Sequence, residues 1–83
     1  MKITLRYFAS IREAVGTGSD SLDTQATTVG ALRDELIARG GAYAEALARG
    51  KAVRLALNQT MSDEAAALTE GAEVGFFPPV TGG

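Results

Sequence analysis

The chain of 83 residues carries eight basic and ten acidic side chains, is 46% hydrophobic, and contains neither cysteine nor histidine. A chain of this length fits one small domain with a thin core and excludes a two-domain enzyme. Without cysteine and histidine, it has no disulfide, thiolate nucleophile, imidazole base, or thiolate or imidazole metal ligand. The net charge of −2, with no cluster of lysine or arginine, argues against nucleic acid as a partner.

The first third of the chain predicts a strand, a short helix and an edge strand. Residues 2–8 alternate in polarity, as in a strand with one buried face. The spacing of Ser10 and Glu13 fits a capping box for a short helix, which Gly16 can end in a left-handed conformation. Residues 20–24 follow a turn and are polar enough for a strand at the edge of a sheet.

The middle of the chain predicts the main helix. Thr28 is a suitable N-cap for a helix that extends to Arg39, and Gly40-Gly41 stops it. Residues 42–49 repeat the helical pattern over a length that needs tertiary support. The apolar stripe of the main helix consists of Val29, Leu32, Leu36 and Ile37.

The last third returns to the two-residue period of strands. Residues 52–57 alternate, Asn58-Gln59 turn the chain into a short extension at 60–61, and residues 73–77 form the last strand. Pro78-Pro79 end that strand because proline cannot donate a ladder hydrogen bond. This order predicts an α+β fold of β-grasp topology, with a mixed sheet and one main helix packed on one face. Two strands should be parallel, and the apolar content of the first and third strands favours that pair.

The C-terminal segment, residues 78–83, is the most informative part of the sequence. Its prolines favour an extended conformation, and Gly82 and Gly83 lack side chains that would obstruct a narrow channel. At about 3.3 to 3.6 Å per residue, residues 79–83 span about 16 to 18 Å, enough to reach the active site of another protein. We therefore divide the chain into a domain of residues 1–77 and a flexible tail. The alternative is a frayed chain end without a function.

Several blocks along the chain carry a resemblance to a known family: Phe8-Ala9, Arg12-Glu13, Leu57-Asn58-Gln59-Thr60, residues 68–74 and the terminal block of residues 76–83. On these residues, and over essentially the whole chain, the sequence resembles the small subunit of molybdopterin synthase (MoaD), a ubiquitin-like sulfur carrier. Gly75 and the alanines of residues 65–67 are local variation within this resemblance.

The resemblance implies that Gly83 is the reactive residue. An ATP-dependent adenylating enzyme (MoeB-like) would join AMP to its carboxylate, and sulfur from a donor system would displace the nucleotide to leave a thiocarboxylate. The large synthase subunit would then receive the tail and use its sulfur to convert the cyclic pyranopterin monophosphate precursor into the dithiolene of molybdopterin. The residues expected to enter the large subunit are Pro78, Pro79, Val80, Thr81 and Gly82.

The same resemblance implies a non-catalytic, sulfur-donating subunit of a heteromeric sulfurtransferase. It would bind no cofactor permanently, since ATP is used by the activating enzyme. It would hold no metal, and Asp63-Glu64 lack the spacing of a calcium loop. We expect the chain in the cytoplasm, without a membrane partner, because Met1-Lys2 lead into alternating polarity and not into a secretory apolar segment.

A second candidate site follows from strand parity. Phe8 and Phe77 each lie on the face opposite the predicted core, and Met61 lies beside the turn near them. We expect these three side chains to form an exposed apolar patch that binds the partners, with a small second core under a loop as the alternative. Arg12 is a further candidate for partner binding, and a solvated helix charge is its alternative.

Other functions stay open from the sequence. A sulfur carrier for thiamine or thiolated-nucleoside synthesis and a ubiquitin-like protein modifier would both use the diglycine end. A non-covalent binding module would not need it. Gly16-Thr17-Gly18 lacks the further glycine and the preceding apolar strand of a dinucleotide fingerprint and predicts a turn.

Overall fold

The computed structural model describes residues 1–79 of the chain. Every strand and helix predicted from the sequence is present in this range, in the predicted order. None of its three helices has the length and apolar content needed to cross a bilayer. The elements are β1 (Lys2–Tyr7), α1 (Ala9–Val15), β2 (Ser19–Asp23), α2 (Val29–Ala38), α3 (Gly41–Ala46), β3 (Arg54–Leu57), β4 (Thr60–Ser62) and β5 (Glu73–Phe77).

The strands form one mixed sheet in the order β2-β1-β5-β3-β4. β1 and β5 pair in parallel, and the other three pairings are antiparallel. The expectation that the first and third strands are parallel is wrong, because β3 runs antiparallel to β5 and hence to β1. The last strand takes the central position, where Val74, Gly75 and Phe76 are all buried.

The hydrophobic core lies between the helices and one face of this sheet. Alternation along β1 and β5 places the larger apolar side chains of these strands on that face. The apolar stripe of α2 packs against them. Ile37, predicted as part of the stripe, is half-buried at the margin of the core. This arrangement is the predicted β-grasp topology. The fully buried side chains include Ile3, Leu5, Tyr7, Val29, Leu32, Leu36, Leu47, Val74 and Phe76.

The helix ends agree in part with the sequence. Thr28 caps α2, since its hydroxyl oxygen accepts a hydrogen bond from the Ala31 N–H at 3.1 Å. Gly16 ends α1 with a left-handed φ of 90°. The predicted capping box at Ser10 is wrong, because α1 has already begun one residue earlier and its N-cap is Phe8, without a side-chain cap.

α3 ends at Ala46, whereas the sequence pattern extended to residue 49. The carbonyl oxygens of Leu47 and Ala48 accept hydrogen bonds from the Arg33 side chain at 2.8 and 2.7 Å. α2 therefore binds the segment after α3 in an irregular conformation.

The β3-β4 hairpin follows the sequence prediction closely. Asn58 and Gln59 have φ of 51° and 69°, as a two-residue turn of type I′ requires. β3 begins at Arg54, later than the predicted residue 52. The turn sets the register that places Met61 opposite Ala56.

Candidate functional site

A groove lies on the face of the sheet that the helices leave open. Its volume is about 420 Å³. The structure brings together here the three side chains predicted as a partner-binding patch, and Met61 is 56% exposed. The residues that line the groove are Phe8, Ala9, Arg54, Met61, Phe77, Pro78 and Pro79.

The parallel pairing of β1 with β5 brings the two phenylalanines of the groove into contact. Tyr7 lies opposite Phe76, so Phe8 and Phe77 follow at the same end of neighbouring strands. Their rings stack with a centroid distance of 4.3 Å and an interplanar angle of 2°. The stack gives the groove a flat aromatic wall.

Two small residues beside this wall, Gly75 and Ala56, line a second cavity of about 180 Å³, which shares Phe8, Met61 and Phe77 with the groove. Ala56 lies opposite Gly75 on one side and Met61 on the other. A Cβ atom at Gly75 would lie 3.2 Å from a ring carbon of Phe77 and 3.3 Å from one of Phe8, so the missing side chain lets both rings lie close to the sheet. Sequence reasoning missed this residue, since its role depends on which strands are neighbours.

The groove leads directly to the start of the tail. Pro78 is half-buried, Pro79 is exposed, and both line the groove. Val80, Thr81 and Gly82, predicted to enter a partner, and Gly83, predicted to carry sulfur, lie outside the described residues.

Arg12 is not among the residues that line the groove. It lies on α1, and its Nε atom is 3.0 Å from the position that a Cβ atom of Gly18 would take. Its side chain forms no ion pair within residues 1–79. Its role in partner binding stays a prediction.

Arg54 is the one charged residue in the described lining of this groove. Sequence reasoning also missed Arg54 and Ala56, although a signal was present. The alternation that assigned Val53, Leu55 and Leu57 to the core assigns the residues between them to the open face.

A network of charged side chains joins α2 to two loops. Arg33 is 4% exposed and binds Glu64 at 2.8 Å, while Arg49 binds Glu64 and, at 2.8 Å, Asp34. Hydrogen bonds from Arg49 and Arg33 hold the pKa of Glu64 below its usual range, and the bonds to Glu64 and Asp34 raise the pKa of Arg49. This network serves the fold, because its carboxylates are already paired.

Two further observations concern chemistry within residues 1–79. The Tyr7 hydroxyl is buried without a hydrogen-bond partner there, and burial raises its pKa, so it is protonated at neutral pH. No group of three or more acidic, histidine or cysteine side chains in this range is placed to hold a metal ion. Neither observation adds a nucleophile or a base to the groove.

Comparisons with known proteins show the family to which the chain belongs. The profile of the ThiS family matches residues 5–83. The chain belongs to the ThiS family. It is 44% identical over 81 residues to the molybdopterin synthase sulfur carrier subunit of Escherichia coli (strain K12), covering 98% of this chain and 99% of that protein.

Two solved structures show that the fold is shared with known proteins. SAMP1 from Haloferax volcanii matches with a TM-score of 0.77 and 26% identity over the whole of both chains. A chain in the complex of subunits 1 and 2 of molybdopterin-converting factor from Helicobacter pylori 26695 matches with a TM-score of 0.70 and 25% identity, again over all of both chains. The comparisons confirm the family that the resemblance implied, and the solved structures confirm the β-grasp fold that the order of elements predicted.

Proposed function

We propose that the chain is the small, sulfur-carrying subunit of molybdopterin synthase. One observation carries the proposal: the chain is 44% identical, over nearly its whole length, to a protein named as that subunit in Escherichia coli. The match to the ThiS family also extends to Gly83, the residue on which the chemistry depends. The groove beside the start of the tail supplies a surface for a partner that receives this tail.

In this proposal, Gly83 is loaded in two steps. A carboxylate anion is a poor electrophile, so the terminal carboxylate must be activated before sulfur can be attached. An adenylating enzyme forms the acyl adenylate from ATP with release of pyrophosphate. Sulfur from a donor system then displaces AMP and leaves a thiocarboxylate. With no cysteine in the sequence, no side-chain thiol is present to carry the sulfur as a persulfide. ATP belongs to the activating enzyme, and this chain holds no permanent cofactor.

The loaded tail would deliver sulfur inside the large synthase subunit. In this proposal, residues 78–82 enter the large subunit, and the domain of residues 1–77 remains outside. Glycine at positions 82 and 83 suits a narrow channel. The Helicobacter pylori relative was solved as a complex of subunits 1 and 2, which supports a large subunit as the partner. The precursor would be the cyclic pyranopterin monophosphate, and the reaction would take place in the cytoplasm.

The groove is the proposed docking surface of the domain. Phe8, Met61 and Phe77 offer aromatic and thioether surface, which is typical of the centre of a protein interface. Pro78 lines the groove, so one partner can cover the groove and also receive the segment that begins at Pro78.

Intact-mass spectrometry tests the proposed chemistry. The chain is incubated with the activating enzyme, ATP and a sulfur donor, and its mass should increase by one oxygen-to-sulfur exchange. A variant without Gly83 and a variant with one residue added after Gly83 are the controls, and neither should gain this mass. A wild-type chain that gains no mass would contradict the proposal.

A ubiquitin-like protein modifier is the second candidate function, favoured by the structural likeness to SAMP1 at a TM-score of 0.77. Its mechanism would share the adenylated glycine but end in isopeptide bonds to lysines. Immunoblots of lysates would then show ladders of conjugates that disappear without Gly83. A thiamine or thiolated-nucleoside carrier would load sulfur but fail to convert the pterin precursor. A non-covalent module would tolerate extension of the tail.

A further inference from the structure

The positive charge of Arg54, at the end of the groove near Pro78, indicates the chemistry of the partner surface that covers the groove. We propose that Arg54 binds a carboxylate of the large synthase subunit, beside an apolar side chain of that subunit that fills the groove. The inference rests on the proposed function and adds the chemistry of the partner surface to it.

Arg54 is placed to contact whatever occupies the groove. It is the first residue of β3, lies opposite Phe77 and is exposed. Its side chain makes no ion pair or hydrogen bond within residues 1–79, whereas Arg33 and Arg49 in the network behind α2 bind carboxylates. The guanidinium N–H groups of an arginine at the rim of an apolar groove are suited to bind a planar carboxylate.

Docking of a partner would remove water from the Arg54 guanidinium. Apart from Arg54, the residues lining the groove are apolar, so a complementary partner removes water from the whole lining. A charge that loses its water without gaining a partner is strongly unfavourable. A carboxylate held by two parallel N–H···O bonds restores the lost hydrogen bonds and fixes the orientation of the partner.

Charge is unevenly distributed along β5 on the open face, with positive side chains near the tail end and a negative side chain at the other end. Arg6 is exposed on β1 opposite Gly75, which adds a second positive charge near the tail end. Glu73 lies at the opposite end of β5 and, at 3.3 Å per residue, is about 13 Å along the strand from Phe77. It lines the second cavity and is too far away to neutralise Arg54. Asp63 is nearer, because it follows the Leu55–Ser62 pair of β3 and β4, but its Oδ1 atom accepts the Ala65 N–H at 2.9 Å and it forms no ion pair with Arg54 within residues 1–79. The positive charges of Arg54 and Arg6 therefore favour a partner acid at the tail end.

The test measures the affinity of the full chain for the purified large subunit by calorimetry at about 0.05 M and about 0.5 M salt. Arg54→Glu should weaken binding at least about tenfold at low salt, and Arg54→Gln should weaken it less. The difference should shrink at high salt, because screening weakens charge pairs. Arg39→Glu is the matched control. It makes the same change of charge on the helix side, where Arg39 lies 5.2 Å from the Tyr43 ring.

Arg54→Glu binding within about twofold of Arg39→Glu at low salt would overturn the inference, since a lost charge pair at an interface costs more. A concentration-dependent dimer of the wild-type chain that depends on Arg54 would also overturn it, by identifying a second copy as the occupant. Restoration of Arg54→Glu binding by a carboxylate-to-arginine change on the large subunit would support it. Sulfur loading of Gly83 is measured in parallel. If the wild-type chain is loaded and binds, only the inference is at risk. If it neither loads nor binds, the proposed function fails as well.

Discussion

Replacing Arg33 by methionine would test whether a buried guanidinium joins α2 to the loop before β3. Arg33 is 4% exposed and donates to the carbonyl oxygens of Leu47, Ala48 and Lys51 at 2.8, 2.7 and 3.1 Å and to Glu64 at 2.8 Å. Methionine keeps an unbranched apolar stem but donates no hydrogen bond. The variant therefore removes the donors and leaves the packing of the stem largely unchanged.

The cost is concentrated at one acceptor. Leu47 is 0% exposed, so its carbonyl would be left buried without a partner, at a cost of about 1 to 3 kcal/mol. The Ala48 carbonyl keeps its bond from the Lys51 N–H at 2.9 Å, and Lys51 itself is exposed to water. Together with the weakened contact to Glu64, the loss should be about 3 kcal/mol. A domain of this size loses about 4 to 8 °C of melting temperature per kcal/mol, so we expect a decrease of at least about 12 °C.

Thermal and urea unfolding followed by far-UV circular dichroism would measure this loss. Arg49→Met is the matched control, because the Arg49 side chain also binds Glu64 but is 44% exposed. An exposed ion pair contributes about 1 kcal/mol or less, so the control should lose much less stability than the Arg33 variant. If the two variants lose the same stability, the burial of Arg33 is not the source of its contribution and the reasoning fails.

Three further predictions concern other described residues. Hydrogen bonds from Arg49 and Arg33 keep the pKa of Glu64 low, so the carboxylate stabilises the fold above its unfolded pKa of about 4.3. This contribution should be lost as the pH falls through the lower folded pKa. Urea midpoints of Glu64→Gln should therefore depend less on pH below about 5 than those of the wild type, and parallel curves would contradict this. Tyr7→Phe removes a buried hydroxyl without a described partner, so thermal unfolding should show stability unchanged or up to about 1 kcal/mol higher, whereas a clear loss would reveal a missing hydrogen bond. Met61→Ala should leave stability within about 0.5 kcal/mol but weaken binding to the large subunit about fivefold in a calorimetric titration, and unchanged affinity would exclude Met61 from the interface.

Local signals in the sequence were sufficient to predict the strands, the helices and part of the lining of the groove. The Asn58-Gln59 pair predicts a two-residue turn, and the structure contains that turn with both residues at positive φ. Strand parity alone places Phe8 and Phe77 on the open face, where they stack. These features depend on neighbours in the chain, which explains why they are readable from one sequence.

Features that depend on distant pairing were not predictable in this way. Helical spacing places Arg33 on the same stripe as Leu32 and Leu36, but the carbonyl oxygens that accept its hydrogen bonds belong to the loop after α3, which no local pattern reveals. Gly75 is expected to be local variation within the resemblance, yet its missing side chain leaves room for the Phe8–Phe77 stack. In both cases, the decisive neighbour is brought close by tertiary structure and is not adjacent in sequence.

The parallel pairing of β1 with β5 links the groove to the tail. Parallel neighbours end at the same edge of a sheet, so the residue after β1 and the last residue of β5 meet there, and the chain leaves β5 through Pro78 at the same point. If β1 had run antiparallel to β5, Phe8 would lie at the far edge, and a partner bound to Phe77 would have no second ring to contact. Under the proposed function, a partner that docks on the groove would therefore position the start of the tail without a separate binding site for it. Under that function, this arrangement explains how the sheet domain would direct the C-terminal group of the chain into a partner.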